Sequence, residues 1–310
     1  MEAKWVAVTA VAPVAWGSNY YVTHEFLPAG HPLYGALLRA LPAGLLLLAV
    51  CRRLPAGAWW WRSLVLGTLN MGAFFVLIYL AAQLLPTSVA STVMATAPVV
   101  MMVFAWLVLA DPPRARQLVG AGLGIAGVAL MLLTGVVAVD PRGVLASVAA
   151  MVMSSLGYVL TKRYLTVPAD GVDVLSLTAW QLVAGSAVLL PVAAVFETPP
   201  ALDGPALLGF AYVTVVATAL AFAAWFAGLR HLDAGTVGLV GLLNPVTGVL
   251  LGTAIAAEAL SVRQLCGLVL VLAGILVPHA GRRRPRSYDR NRAETVAQAG
   301  ISHDRPVRRG

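Results

Sequence analysis

The chain has 310 residues, of which 60% are hydrophobic and 11% are charged, and its formal net charge is +8. Soluble globular domains carry about 25% charged residues, so this composition excludes a soluble globular protein. Apolar runs of about 20 residues, the length that crosses a bilayer, recur between short polar breaks and predict an all-α integral membrane protein.

The apolar runs predict ten transmembrane helices joined by loops too short to hold a soluble domain. The first run follows a single lysine, and Pro13 directly follows the small residues at which a signal peptidase would cut. We therefore expect this run to be retained as a spanning helix. The ten predicted spans cover residues 5–25, 33–51, 63–83, 88–110, 117–137, 142–162, 174–196, 205–228, 235–257 and 263–281.

The positive charges predict the orientation. If the N-terminus lies inside, 18 of the 21 Lys and Arg residues fall on the inner side, while only Arg142 and Arg263 fall outside. The positive-inside rule therefore predicts cytoplasmic N- and C-termini in the inner cell membrane. Topology thus accounts for the net positive charge, and we expect no nucleic-acid partner.

Residues 282–310 differ from the rest of the chain. They hold nine arginines and few large apolar residues, a composition typical of a disordered, solvated tail. The alternative is a polybasic segment held at anionic membrane lipids.

One stretch of the chain occurs twice. "RQLVGAGLGIAG" covers Arg116–Gly127 and "RQLCGLVLVLAG" covers Arg263–Gly274, with seven of twelve residues identical at an offset of 147 (263 − 116). The same offset aligns Pro98 with Pro245 and needs no gap between residues 85 and 274. The chain is therefore predicted to contain an internal repeat.

Ten spans in two halves give five spans per half. Because five is odd, the halves enter the membrane from opposite sides and form an inverted-topology repeat, with predicted boundaries 1–138 and 139–281. Two such halves enclose a site at their pseudo-two-fold axis, and rocking one against the other opens that site to alternate faces. The repeat favours a secondary transporter.

The two halves share a further pattern: a proline, an acidic residue about thirteen positions on, then Arg-Gln-Leu-x-Gly and Ala-Gly. With "WGSNYYVTH" at 16–24 and "LLRALPAGLLLL" at 37–48, these residues resemble the EamA-domain transporters of the drug/metabolite transporter superfamily. The resemblance implies that helices 1–4 and 6–9 line a central cavity and that helices 5 and 10 are peripheral. It also implies traffic in small metabolites, often the export of amino acids or related compounds, without naming the substrate.

Polar residues inside spans are costly and therefore mark candidate sites. Trp16, Asn19 and Tyr20 share one face of the first helix and predict a cavity wall, with helix packing as the alternative. Arg39 is the only basic residue well inside a span. We interpret it as a counter-ion for a substrate carboxylate, or alternatively as a snorkelling residue or one bonded to a backbone carbonyl. Gln181 is its predicted counterpart in the second half.

Further candidates complete the predicted site. Asn70 and Tyr79 lie on opposite faces of the third helix, so at most one of them is expected to face the cavity. Pro98 and Pro245 are predicted helix hinges, because an intramembrane proline frees a carbonyl one turn back. The remaining predicted cavity residues are Tyr158, Trp225 and Asn244.

Two other classes of function compete with a transporter. A membrane-embedded enzyme, such as a lipid transferase or intramembrane hydrolase, would need paired carboxylates, a metal cluster or an activated nucleophile, and the spans show none of these patterns. A channel would need a repeated filter-like loop, and the sequence shows none. We expect no cofactor and no metal. A small-molecule metabolite and membrane lipids are the expected partners, and the glycine-rich helices also allow a homodimer.

Overall fold

The protein is described here from a computed structural model. The structure describes residues 2–28, 30–85, 87–133, 140–166, 171–255 and 260–279. The predicted boundary between the two repeats and the predicted Arg-rich tail, residues 282–310, lie outside these ranges. Glu258, the second acidic residue of the shared pattern, does so too.

The described residues form ten helical segments and no strand. α1 is Glu2–Phe26, α2 is Pro32–Cys51, α5 is Ala115–Leu132, α6 is Pro141–Thr166 and α7 is Val174–Phe196. α10 comprises Val262–Leu276 and a short 3₁₀ turn, Val277–His279. The other four segments are interrupted: α3 (Trp59–Gly67, Thr68–Gly72, Ala73–Leu84), α4 (Thr87–Met94, Ala97–Leu109), α8 (Gly204–Thr214, Val215–Leu220, Ala221–His231) and α9 (Ala234–Val240, Leu243–Ile255).

Eight of these segments, α2 to α9, are long and apolar enough to cross a membrane. α1 has 25 residues, but Trp16, Asn19 and their polar neighbours lower its mean hydropathy. The regular part of α10 has only 15 residues. The chain is therefore a multi-pass membrane protein, whereas ten spans remain a prediction.

Polar caps start the helices of the second half. Asp173, Asp203, Asp233 and Ser261 precede α7, α8, α9 and α10, and each side chain accepts a hydrogen bond from the backbone N–H three residues on. Such a cap satisfies one of the N–H groups that a helix leaves open at its start. These residues account for the sharp helix starts after short loops.

The interruptions recur at the repeat offset. π-helical segments occupy Thr68–Gly72 in α3 and Val215–Leu220 in α8, so they begin 147 residues apart (215 − 68). Short i→i+3 bonds replace helical bonds just before Pro98 and Pro245, at Thr96 N–Val93 O (3.0 Å) and Leu242 N–Leu239 O (3.1 Å). The π segments thus follow the offset of 147, and the short bonds follow it to within one residue (242 − 96 = 146).

The helices pack in pairs, and these contacts determine which helices can surround a cavity. α1 packs along α8 and α9, α2 packs along α7, and α6 packs against α3 and α4. α5 and α10 pack along each other. At their contact Arg263 donates from Nε to the Leu130 carbonyl (2.7 Å) and from Nη2 to the Leu133 carbonyl, at the C-terminal end of α5.

Candidate functional site

A cavity of about 510 Å³ lies between α1, α2, α3, α4, α6, α8 and α9. Among the described residues, none of its wall comes from α5, α7 or α10. The resemblance implies that α7 lines it too, but α7 packs along α2 and its Gln181 is bonded to Asn70 of α3, so this expectation is wrong. The predicted site residues on the wall are Trp16, Asn19, Arg39, Pro98, Tyr158, Trp225, Asn244 and Pro245.

Aromatic rings form one side of the cavity. The ring of Trp16 lies 5.1 Å from that of Phe222 and 5.3 Å from that of Trp225, and Tyr158 lies 5.4 Å from Trp225. Tilted and edge-on rings at these separations stabilise one another. A largely apolar wall with a few polar groups is typical of a small-molecule site.

Arg39 of α2 reaches the π segment of α8. Its Nε donates to Thr218 Oγ1 and its Nη2 to the Ala217 carbonyl, both at 2.9 Å, and its guanidinium lies 5.5 Å from the ring of Phe75. Trp16 Nε1 donates to the same Ala217 carbonyl at 3.1 Å. π-bulges are frequent at functional sites, and this one offers its carbonyl to two wall residues. Arg39 thus bonds to a backbone carbonyl, as one of the alternatives in the sequence analysis expected, and it also lies on the cavity wall.

Arg39 also brings a formal charge to the cavity wall. Within the described part of the chain, the other lining residues carry no formal charge. A cation on a partly buried, apolar wall attracts an anionic group more strongly than it would in water. A guanidinium can pair with a carboxylate through two parallel N–H groups, whereas here Nε and Nη2 of Arg39 donate to Thr218 Oγ1 and the Ala217 carbonyl.

Two amides face the cavity where α1 crosses α9. Asn19 and Asn244 both line it, and the Oδ1 atom of each is buried without a hydrogen-bond partner among the described residues. The helices are close here, because a β-carbon added to Gly17 would lie 2.6 Å from the Asn244 carbonyl oxygen. Trp225 Nε1 is a buried donor in the same condition. Polar atoms left open in a protein interior are costly, which makes these three atoms candidates for ligand contacts.

Asn70 and Gln181 do not line the cavity, which corrects the prediction for both. They are fully buried between α3, α6 and α7, where Asn70 Nδ2 donates to Gln181 Oε1 at 2.6 Å and lies 3.3 Å from Thr161 Oγ1. The physical reason is that Asn70 Nδ2 and Gln181 Oε1 bind each other away from the cavity, while Asn70 Oδ1 and Gln181 Nε2 are buried without a partner among the described residues. Gln181 nevertheless parallels Arg39, since it contacts the π segment of α3 as Arg39 contacts that of α8.

The side chains of Tyr20 and Tyr79 lie outside the described part of the structure. Pro98 and Pro245 line the cavity beside the backbone interruptions of α4 and α9, while hinge motion there stays a prediction. Sequence reasoning missed Phe75 and Phe222. Phe222 lies three residues before Trp225, a helical spacing that would have placed it on the same face.

Within the described residues, no group of three or more His, Cys, Asp or Glu side chains has the arrangement of a metal site.

The EamA-like transporter family matches residues 3–133 and again residues 141–277. The chain is 38% identical over 267 residues to "Protein PecM" of Dickeya dadantii, which covers 86% of this chain and 89% of that protein. It is 28% identical over 273 residues to the "Uncharacterized inner membrane transporter YedA" of Escherichia coli K12, covering 85% of this chain and 87% of that protein.

A more distant relative is a "Probable amino-acid metabolite efflux pump" of Salmonella typhimurium, 26% identical over 291 residues, or 88% of this chain and 94% of that protein. A solved structure titled "Crystal structure of protein" superimposes with a TM-score of 0.77 at 22% identity, covering 89% of this chain and 96% of that chain. At this identity the match concerns the fold alone.

Proposed function

Because the chain belongs to the EamA-like transporter family, we propose that it is a secondary transporter that moves a small metabolite across the cytoplasmic membrane by alternating access. The observation that carries the proposal is the cavity of about 510 Å³ enclosed by helices from both halves of the chain. Such a volume holds a small organic molecule.

The transported molecule is an amino acid or a related amphipathic compound. Arg39 supports this, because a guanidinium on the wall binds a carboxylate, and the rings of Trp16, Phe222 and Trp225 accept an apolar side chain. The direction is export, in line with the name of the Salmonella relative, "Probable amino-acid metabolite efflux pump". The names of the family and of the Escherichia coli and Salmonella relatives describe transporters, and no observation favours the membrane-embedded enzyme.

The two halves are proposed to be inverted repeats, at 1–138 and 139–281, each with five spans. The two separate family matches, the π segments at Thr68–Gly72 and Val215–Leu220, and the paired prolines support this division. Rocking of one half against the other would then expose the cavity to each face in turn, with Pro98 and Pro245 as hinges.

The orientation follows the positive charges, with both termini cytoplasmic. To test it, Cys51 and Cys266 are replaced by serine, and single cysteines are placed at the exposed positions Ala56 and Gly204. A membrane-impermeant thiol reagent added to intact cells should label the cysteine at 204 and not the one at 56. The reverse pattern would overturn the orientation.

The transport proposal is tested in everted membrane vesicles, where export appears as uptake. A panel of radiolabelled amino acids and related metabolites should include at least one that accumulates only when the protein is present. Arg39→Gln should abolish this uptake at normal membrane abundance, and Arg39→Lys should restore it only in part, because Lys lacks the planar fork.

Arg142→Gln is the matched control, since Arg142 is exposed at the start of α6 and away from the cavity. Normal transport by Arg39→Gln would refute the counter-ion role. Absence of flux for every metabolite class would refute the transporter.

A further inference from the structure

The cavity approaches one face of the helix bundle and stops short of the other. At the near face its wall includes Leu27, just past the end of α1, and Gly35, in the first turn of α2. Towards the far face the wall ends at Tyr158, two turns before α6 ends, and at Gly238, one turn after α9 begins. A layer of protein about one to two helical turns thick therefore separates the cavity from the far face.

The loop between α8 and α9 lies in that layer, and Lys162 of α6 holds it. Lys162 Nζ donates to the Leu229 carbonyl at 2.9 Å and to the Leu232 carbonyl. These carbonyls end α8, and a cation at the C-terminal end of a helix is favoured by the helix dipole. The carboxylates of Asp233 and Asp111 are further electrostatic partners of this ammonium.

Three more contacts fix the same loop. Asp233 Oδ1 accepts hydrogen bonds from Thr236 N (2.7 Å) at the start of α9 and from Gln117 Nε2 (2.5 Å) of α5. The ring of His231 stacks on that of Trp5 of α1, with centroids 3.6 Å apart and planes at 13°. The loop is thus bound to helices of both halves of the chain.

We propose that Lys162 is the latch of a gate at this face. Its bonds to Leu229 and Leu232 hold the α8–α9 loop against α6 and close the cavity there, and their release opens the cavity to this face. Lys162 is a positioning residue, since it does not contribute to the cavity wall. The gate rests on the proposed transport function, because only a carrier needs its cavity to open to the second face.

The test measures access to the cavity and not transport. In a chain with Cys51→Ser and Cys266→Ser, Met94→Cys places a thiol at a half-buried position of the wall. A charged, membrane-impermeant methanethiosulfonate is added to right-side-out or to everted vesicles, so that each face is probed separately.

We expect the Met94→Cys thiol to react rapidly from the near face and slowly from the far face. Lys162→Gln should raise the rate from the far face by about tenfold, within the usual range of coupling between two states. Lys162→Arg keeps a cation with several donors and should stay near the parent rate. Arg163→Gln is the matched control, since its exposed side chain neighbours Lys162 in the chain, and it should leave the rate unchanged.

An unchanged far-face rate in Lys162→Gln would overturn the latch. If that variant fails to reach the membrane, Trp5→Ala replaces it, because it removes the stack on His231 and should also speed labelling from the far face. No effect of Trp5→Ala would then count against the gate. If Lys162→Gln is labelled faster from the far face but the parent chain transports no metabolite, the transport proposal is refuted and the gate stands. If the parent chain transports a metabolite but labelling does not change in Lys162→Gln, only the gate is refuted.

Discussion

Gly127 of α5 lies directly against Gly267 of α10: a β-carbon added to either residue would lie 2.6 Å from the carbonyl oxygen of the other. Gly120 and Gly274 meet in the same way. Gly120 and Gly267 occupy the same position in the two copies of the repeated stretch, as do Gly127 and Gly274. Each copy is therefore the packing surface of the other, which explains why both need the same small residues.

Gly127→Ala should destabilise the protein. A β-carbon 2.6 Å from a backbone oxygen forces the helices apart, and overpacking of this kind costs about 1–3 kcal/mol. The measurement is the melting temperature of the detergent-purified protein. Gly122→Ala is the control on the same helix, since a β-carbon there meets nothing within 4 Å. Equal melting temperatures for the two variants would contradict the packing argument.

Composition and periodicity predicted the helical fold, because lipid leaves a backbone no alternative partner. The prolines also marked where α4 and α9 are interrupted. The π segments of α3 and α8 were not predicted, since Thr68–Gly72 and Val215–Leu220 contain no proline and share no motif. Their geometry depends on contacts between helices that local sequence does not encode.

The site was predicted in part for a similar reason. Trp16 and Asn19 share a helix face, so if one of them lines the cavity, the other is expected to line it as well. A polar side chain such as Asn70, however, can line a cavity or bind another polar side chain. Its partner Gln181 lies 111 residues away in sequence, and only the fold brings the two together.

Asn70→Ala should lower stability without changing substrate affinity. It removes the donor to Gln181 Oε1 in a fully buried contact, and a buried group that loses its partner costs about 1–3 kcal/mol. Asn19→Ala is the reciprocal variant, because Asn19 lines the cavity and its buried Oδ1 has no partner among the described residues. It should raise the transport KM with little change in melting temperature. A raised KM in Asn70→Ala at unchanged stability would reverse the assignment.

Asp173 should make stability depend on pH. Burial raises the pKa of this carboxyl, but hydrogen bonds from the Ser176 backbone N–H and hydroxyl outweigh it, so its pKa lies below the usual value. A carboxyl with a lowered pKa in the folded state contributes stability above its unfolded-state pKa, and that stability is lost as the pH falls through the folded-state pKa.

The melting temperature should therefore be higher for the unsubstituted protein than for Asp173→Asn at neutral pH, and the difference should shrink as the solution becomes acidic. Asparagine keeps the helix cap, so the comparison isolates the charge. Arg53→Gln is the control, because the ion pair of Arg53 with Asp173 is long, at 3.8 Å, and solvent-exposed. A difference that does not change with pH would show that the charge of Asp173 has no role.

Trp225→Phe should weaken substrate binding selectively. The phenyl ring keeps the contacts with Trp16 and Tyr158, whose centroids lie 5.3 and 5.4 Å away, while the Nε1 donor is lost. That donor is buried and has no partner among the described residues, so its loss leaves no acceptor unpaired, and any fall in melting temperature comes from the smaller ring. A neutral hydrogen bond contributes about 0.5–1.5 kcal/mol, which corresponds to a rise in transport KM of roughly 2- to 12-fold.

Trp180→Phe is the control for losing an indole donor away from the cavity. The Trp180 Nε1 donates to the Arg53 carbonyl at 2.7 Å, so this variant should lower stability and leave KM unchanged. If Trp225→Phe transports with an unaltered KM, its indole N–H does not contact the substrate, and recognition must depend on the rings, the amides and Arg39.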